Sequence, residues 1–466
     1  MRAESDETVM PGGGRFHLVG AGGAGMSGLA QLLLQRGYQV SGSDRADSPV
    51  VERLREQGAV IVVGHCGEVV EGADLVIYSA AIPLDCPELE EARRRRIDTL
   101  GRAEFMARLT AGGQTAAVAG THGKTTTASM LAAIMETAGL APSVLIGGAV
   151  EGEIQGRSGR GKGFVVEADE YDRSFLSLRP AAAVVTSLDA EHLDCYSDLE
   201  GVVSAFAAFV RLLPEAGPCL LHGDDANVVA VGDRASRSYA TFGRSESSDY
   251  RAAAVEPKAW GDRFDLAYRG QRLGSIRLQV PGAHNVDNAV AAAGLAHMLG
   301  VPAEAIEEGL ERFPGVDRRF QRKGEAGGIL VVDDYAHHPA EIDAALAAAR
   351  RVRDQIVVVF QPHLYSRTRD FLEEFATSLT AADRVVVADV YGAREEALPG
   401  VSAEAVAGAM RDRGFRAVEH IAPTSEIAGH LAATCSAGDL VITLGAGDVD
   451  RVADGLLDLL RGSGEE

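Results

Sequence analysis

Short runs of small and β-branched apolar residues alternate with longer stretches in which apolar positions recur every three to four residues. The first pattern predicts strands and the second predicts helices. Strands are expected at 15–19, 39–44, 60–63 and 75–79, then at 115–119, 163–168 and 182–188, and finally at 329–332, 356–360, 384–389 and 440–444. Helices are expected from the first glycine-rich turn to about 36, over 52–57, over 124–138, and from an opening at 281–288 to about 299. Strand–helix alternation of this kind argues an α/β fold built on parallel, doubly wound sheets. Residues 240–280 are polar with alternating strands and predict a small β insert. Phe313-Pro314-Gly315 is a turn signal that separates the last block from the rest. No period of repeat length recurs, so the chain is not a repeat array.

The punctuation between these elements carries the chemistry. After the strand at 115–119 comes Gly120-Thr121-His122-Gly123-Lys124-Thr125-Thr126, and Lys124 opens a helix. Strand, glycine turn, lysine, hydroxyl and helix form a phosphate cradle, with backbone N–H groups and the helix N-terminus facing phosphate oxygens. Lys124 would reach the β- and γ-phosphates and Thr125 would ligate Mg²⁺. The motif is short, because Val118 stands where the longer form carries glycine. Glu167 ends the apolar run FVVE and His192 follows the next strand. Both are metal-side candidates beside ordinary readings as surface residues. Near the N-terminus Gly20-Ala21-Gly22-Gly23-Ala24-Gly25 satisfies G-x-G-x-x-G, with Asp44 at the tip of the second strand. The physical content is a diphosphate on a helix N-terminus and an acid for a hydroxyl; NAD and a UDP-sugar both fit. Asn285 and Asn288 share a helical face as caps or as readers of a base edge.

In the last block four strands run into polar or glycine-rich loops: Asp333-Asp334-Tyr335-Ala336-His337-His338, Gln361-Pro362-His363-Leu364-Tyr365-Ser366-Arg367, Val390-Tyr391 and Gly445-Ala446-Gly447-Asp448. Four such loops on one edge predict a ligand-binding rim. Arg318 and Arg319 precede it as a pair.

Length and composition narrow the class. A chain of 466 residues predicts about three domains. They are placed at 14–109, 110–313 and 314–466: Rossmann-like, a central P-loop ATPase-type parallel sheet with the small β insert, and Rossmann-like again. The net charge of −22 argues against nucleic acid, and only four of the 45 basic residues are lysine. No apolar run is long enough to span a membrane. The polar start MRAESDETVM is expected to be a lead-in rather than a signal peptide. Five scattered cysteines without a C-x-x-C pair predict reduced thiols in the cytoplasm.

Nine pieces in order resemble the Mur ligases of peptidoglycan synthesis, from Phe16 to Asp448. They are H-L-V-G-A-G-G-A-G-M-S-G (17–28), G-T-H-G-K-T-T-T (120–127), E-A-D-E-Y-D-R-S-F (167–175), H-L-D (192–194), H-N-V-D-N-A (284–289), R-R-F (318–320), D-D-Y-A-H-H-P-A-E (333–341), Q-P-H-L-Y-S-R-T (361–368) and G-A-G-D (445–448). The resemblance implies an ATP- and Mg²⁺-dependent ligase that joins L-alanine to UDP-N-acetylmuramate through an acyl phosphate. It places the UDP-sugar at Gly22, Gly23, Ala24, Gly25, Asp44 and Ser79. It places ATP at Gly120–Thr126, with Asn285 and Asn288 at adenine, Arg319 at phosphate and Asp334 at ribose. Thr125, Glu167 and His192 would hold Mg²⁺. Tyr335, His337, His363 and Arg367 would take alanine, with His337 or His363 as base or binder. Lys124, Glu167, His192, Arg319 and His337 are the catalytic set implied. The state implied is a monomer or weak homodimer acting on small molecules, with hinges near 109–113 and 313–317. Tyr171 and Leu364 depart from common family residues; the first is shared with the ligase that recycles murein tripeptide, which is the alternative within the family. An NAD-dependent oxidoreductase is the alternative outside it, and it leaves Lys124 and Glu167 unexplained.

Overall fold

A computed structural model describes residues 13–111, 114–189, 195–393 and 395–462. The expected lead-in, His192 with its H-L-D piece, and part of the first expected hinge lie outside them. The chain separates into two compact units. The first comprises 1–255, 264–277 and 286–313, and the second 256–263, 278–285 and 314–466.

The first unit carries two sheets. One has five strands: β1 (Arg15–Val19), β2 (Gln39–Asp44), β3 (Val60–Val63), β4 (Leu75–Tyr78) and β5 (Asp98–Gly101). Their order is 3-2-1-4-5 and all pairs are parallel. The order reverses beside β1, so the glycine-rich turn after β1 opens into the crevice where open α/β sheets bind ligands. In this unit Glu88 is buried, accepts a hydrogen bond from the Cys86 thiol at 2.8 Å and pairs with His65 at 3.1 Å. Burial, then Glu88, pushes the Cys86 thiol up to about 11. All five cysteines are free, as the scattered spacing predicts.

The second sheet has ten strands: β6 (Gln114–Ala119), β7 (Ser143–Val150), β8 (Glu153–Arg157), β9 (Gly163–Glu167), β10 (Ala182–Val185), β11 (Cys219–His222), β12 (Ala240–Gly243), β13 (Tyr250–Pro257), β14 (Asp262–Tyr268) and β15 (Gln271–Arg277). The order is 15-14-13-12-11-10-6-9-7-8. The expected β insert is present, and its strands β13 to β15 extend one edge of the main sheet. Its centre, β10, β6 and β9, is parallel. The run of small residues Thr115–Ala119 lets all of β6 after Gln114 sit buried there. Val118 is 0% exposed and registers with Glu167 and Val184. The missing motif glycine is thus a core strand position, and the turn begins at Gly120.

The second unit holds β16 (Gln321–Ala326), β17 (Ile329–Asp334), β18 (Gln355–Phe360), β19 (Arg384–Val387), β20 (Val418–His420) and β21 (Asp439–Leu444), in the order 16-17-21-18-19-20. Only β16 is antiparallel. Leu330, Val332, Ile356, Val358 and Phe360 face one apolar cluster, and Ile329, Val331, Val357 and Val359 face the other. Burial on both faces is why these strands read as continuous apolar runs. Because β17, β21, β18 and β19 are adjacent and parallel, their following loops share one edge, as the sequence pattern predicts.

Candidate functional site

In the first unit, the turn after β1 is held by backbone bonds. Gly20 and Ala21 N–H both donate to Ser43 O at 2.9 Å. Asp44 accepts from Gly22 N–H at 2.8 Å and from Ala46 N–H at 3.2 Å. Its carboxylate thus braces the loop, a task beyond the hydroxyl contact expected of it. Ser79 lies against Gly20, where an added Cβ would stand 3.4 Å from Ser79 Cβ. The helix Ala24–Gln35 begins at this turn, so Gly22, Gly23 and Gly25 sit at a helix N-terminus with amides that have no intrahelical acceptor.

The turn after β6 is more deeply built. Gly120 has φ +140° and a Cβ there would stand 2.0 Å from Thr186 Oγ1; Gly123 has φ +79° and a Cβ would stand 2.4 Å from Asn288 Oδ1. Both positions need glycine for conformation and for room. Asn288 also accepts from Thr127 Oγ1 at 3.2 Å, so it buttresses the loop from behind. Asn285 Nδ2 donates to Pro281 O at 2.7 Å, one turn back along the chain. Thr121 Oγ1 accepts from Asp189 N–H at 2.9 Å, and His122 pairs with Asp189 at 3.3 Å. Ser187 Oγ accepts from His122 N–H at 2.9 Å. Thr126 is buried in the first helical turn.

Lys124 Nζ donates to Gly120 O at 2.5 Å, Thr121 O at 3.0 Å and Glu170 Oε1 at 2.9 Å. Burial works against its charge, but the carboxylates of Glu170, Asp169 and Glu167 outweigh burial and hold its pKa above the ordinary lysine value. Thr125 Oγ1 donates to Glu167 Oε1 at 3.0 Å, and Gly147 N–H donates to Oε2 at 2.8 Å. A hydroxyl and a carboxylate this close at the mouth of a phosphate turn are hard oxygen donors of the type Mg²⁺ prefers. The sequence reading missed Glu170. The signal was present as the last acid of E-A-D-E, three residues past Glu167. Only the register of β9 and the turn at Tyr171–Ser177 send one acid to the hydroxyl and the other to the lysine.

In the second unit the paired arginines, Arg318 and Arg319, both stand over Tyr335, each guanidinium carbon 5.1 Å from the ring centre, and differ in their polar partners. Arg318 donates to Asp333 at 3.1 Å, Gly447 O at 2.9 Å and Gly445 O at 2.7 Å. Asp334 accepts from Phe320 and Ala336 N–H, both at 2.7 Å. Burial pushes it up to about 7, against the pull of Arg319. His337 Nδ1 is 2.8 Å from Tyr335 O. A carbonyl can only accept, so Nδ1 carries the proton and the basic lone pair is on Nε2. The His363 ring lies 5.8 Å from that of His337 and stacks on Tyr391 at 13°. Arg367 is on the short helix Tyr365–Asp370 that follows Leu364. Gln361 Nε2 donates to Asp448 at 2.9 Å. The structure therefore gathers Tyr335, His337 and His363 as expected, and adds Tyr391.

Comparison with known proteins gives three consecutive matches. "Mur ligase family, catalytic domain" covers residues 15–114, "Mur ligase middle domain" 118–296, and "Mur ligase, glutamate ligase domain" 318–447. The chain is 44% identical over 454 residues to the UDP-N-acetylmuramate–L-alanine ligase of Salinibacter ruber (strain DSM 13855 / M31), spanning 97% of this chain and 96% of that protein. The protein of the same name from Myxococcus xanthus (strain DK1622) is 43% identical over 449 residues, 96% of this chain and 95% of its own. The solved UDP-N-acetylmuramate-alanine ligase of Thermotoga maritima aligns with a TM-score of 0.84 at 29% identity, over 97% of this chain and 100% of that one. A murein peptide ligase from Psychrobacter arcticus 273-4 aligns with a TM-score of 0.71 at 24% identity, over 96% and 99%, a likeness of fold.

Proposed function

This chain belongs to the Mur ligase family, and on that premise we propose that it joins L-alanine to the carboxylate of UDP-N-acetylmuramate using ATP, a step in peptidoglycan precursor synthesis. The observation that carries the reading is the constellation Lys124, Thr125 and Glu167 at the turn after β6, within a full-length match to ligases of that name. The recycling reaction and hydride transfer are not favoured: neither the phosphate turn nor the relatives' names require them.

The chemistry follows from charge. Transfer of the γ-phosphoryl group to a muramate carboxylate oxygen breaks its bond to ADP and leaves an acyl phosphate. Lys124 is assigned to the charge on the transferring oxygens, and Arg319 to phosphate. Thr125 and Glu167 would hold Mg²⁺, with His192 as a third ligand; the ion screens the phosphate oxygens when bound. The alanine amine then attacks the acyl carbon, the bond to phosphate breaks, and the surplus amine proton goes to a base. His337, with its lone pair on Nε2, suits that task, and Tyr335, His363 and Arg367 are assigned to the amino acid. Asn285 and Asn288 are assigned to the adenine end and Asp334 to the ribose, while Gly22–Gly25, Asp44 and Ser79 take the UDP-sugar. Domains at 14–109, 110–313 and 314–466 go with this reading, as do a cytoplasmic location and a monomer or weak homodimer. Among the described residues no helix is long and apolar enough to cross a membrane. The test is phosphate release with ATP, Mg²⁺ and UDP-N-acetylmuramate across a panel of amino acids and the murein tripeptide. L-Alanine should support turnover well above the others; release only with tripeptide would overturn the reading.

A further inference from the structure

The third glycine of the first turn has a neighbour that the motif does not predict. A Cβ on Gly25 would stand 2.7 Å from Arg102 Nη1 and 2.9 Å from its guanidinium carbon. The guanidinium therefore lies flat over Gly25 in the space a side chain would fill. Arg102 starts the helix Arg102–Thr110 directly after β5, and Gly101 precedes it as N-cap. The same guanidinium reaches Asp169 of the second sheet's E-A-D-E segment at 3.6 Å. Asp169 accepts from Tyr171 N–H at 3.1 Å and is one of the carboxylates acting on Lys124. Arg102 thus stands between the two glycine turns of the first unit, in contact with one and paired to a residue beside the other. At 25% exposure it is neither a solvated surface charge nor a sealed core ion pair. A planar fork beside a helix N-terminus is the group that binds phosphate oxygens in two-pronged fashion.

We propose that Arg102 is a substrate-binding residue of the nucleotide-sugar site, where its guanidinium takes a diphosphate oxygen above Gly25. Its pairing with Asp169 links filling of that site to the triphosphate turn. The inference rests on the proposed function for its ligand. It accounts for Gly25 physically, since alanine there would displace the guanidinium.

The test measures UDP-N-acetylmuramate affinity by calorimetry for the parent, Arg102→Gln, Arg102→Lys and Asp169→Asn, each with and without a non-hydrolysable ATP analogue. Arg102→Gln should weaken UDP-sugar binding at least tenfold and raise its KM in proportion, with the KM for ATP within about twofold of the parent. Arg102→Lys keeps the charge without the fork and should fall between. Asp169→Asn should keep UDP-sugar affinity but lose any change in that affinity on adding the ATP analogue. UDP-sugar binding by both Arg102 variants at parent strength would overturn the inference and leave the ligase reading intact. A parent that binds no UDP-sugar would overturn the reading itself. If Arg102→Gln fails to fold, Arg102→Lys decides alone: parent-like affinity and KM sink the proposal.

Discussion

Replacing Glu170 with glutamine asks what the lysine of the phosphate turn owes to its buried partner. The two carboxylate oxygens lie 2.9 and 2.8 Å from Lys124 Nζ, and the lysine and glutamate side chains are 14% and 3% exposed. At that separation and an effective dielectric of about 20, the attraction is about 6 kcal/mol. Desolvation of both ions offsets part of it. Glutamine keeps the volume and one acceptor, and the carbonyls of Gly120 and Thr121 still receive the ammonium. The expected net loss is about 3 kcal/mol, the low end for removing one member of a buried pair. The sign with pH is also fixed. The lysine's folded pKa is raised, so its stabilisation is complete below the unfolded value of about 10.4 and is lost as pH climbs through the folded value. Urea unfolding near neutral pH therefore reads the whole effect. In the variant, Asp169 and Glu167 alone remain to favour the ammonium, so the alkaline limb of the phosphate-release profile should move to lower pH. An unfolding free energy within about 0.5 kcal/mol of the parent, together with an unmoved alkaline limb, would refute the reasoning.

Two further outcomes distinguish neighbours that look alike in sequence. Arg318→Lys should lower stability by about 3 kcal/mol, because a lysine cannot serve Asp333, Gly445 O and Gly447 O together and Asp333 is fully buried; Arg319→Lys should leave the unfolding midpoint nearly unchanged and cut turnover. Equal midpoints for the two variants would contradict the division of labour. Asp334, pushed up to about 7, should show a carboxyl-carbon NMR titration near neutrality. Since the raised value makes the folded acid bind protons that the unfolded one has released, stability of the second unit should fall as pH rises from about 4 to about 7. A titration midpoint below about 5 would refute the burial argument.

What the sequence disclosed follows range. The phosphate turn was legible because its glycines, lysine and threonine are consecutive and each has a local reason to be there. The rim of the second unit was legible because parallel strands end on the same side, so a polar loop after each apolar run implies a shared edge. Partner choice was not legible. Glu167 and Glu170 are both acids at a strand end, and the pairing of Val118 with Glu167 decides which meets Thr125. Arg318 is set apart from Arg319 by Asp333 and by two carbonyls within its reach, and those carbonyls belong to residues some 130 positions away. The amides of Gly22 and Ala46 that Asp44 accepts from were not legible either, because they depend on how the loop folds back. The β insert was legible as strands, but not the backbone pairing by which it continues the ten-stranded sheet.

The guanidinium of Arg318 ties the end of β17 to the loop beyond β21 before any amino acid arrives. A substrate as slight as alanine offers only a handful of atoms, each worth at best about 1.5 kcal/mol. It cannot finance the ordering of a floppy pocket. Fastening the loops during folding shifts that entropy to the synthesis of the protein, once per molecule, rather than to every turnover.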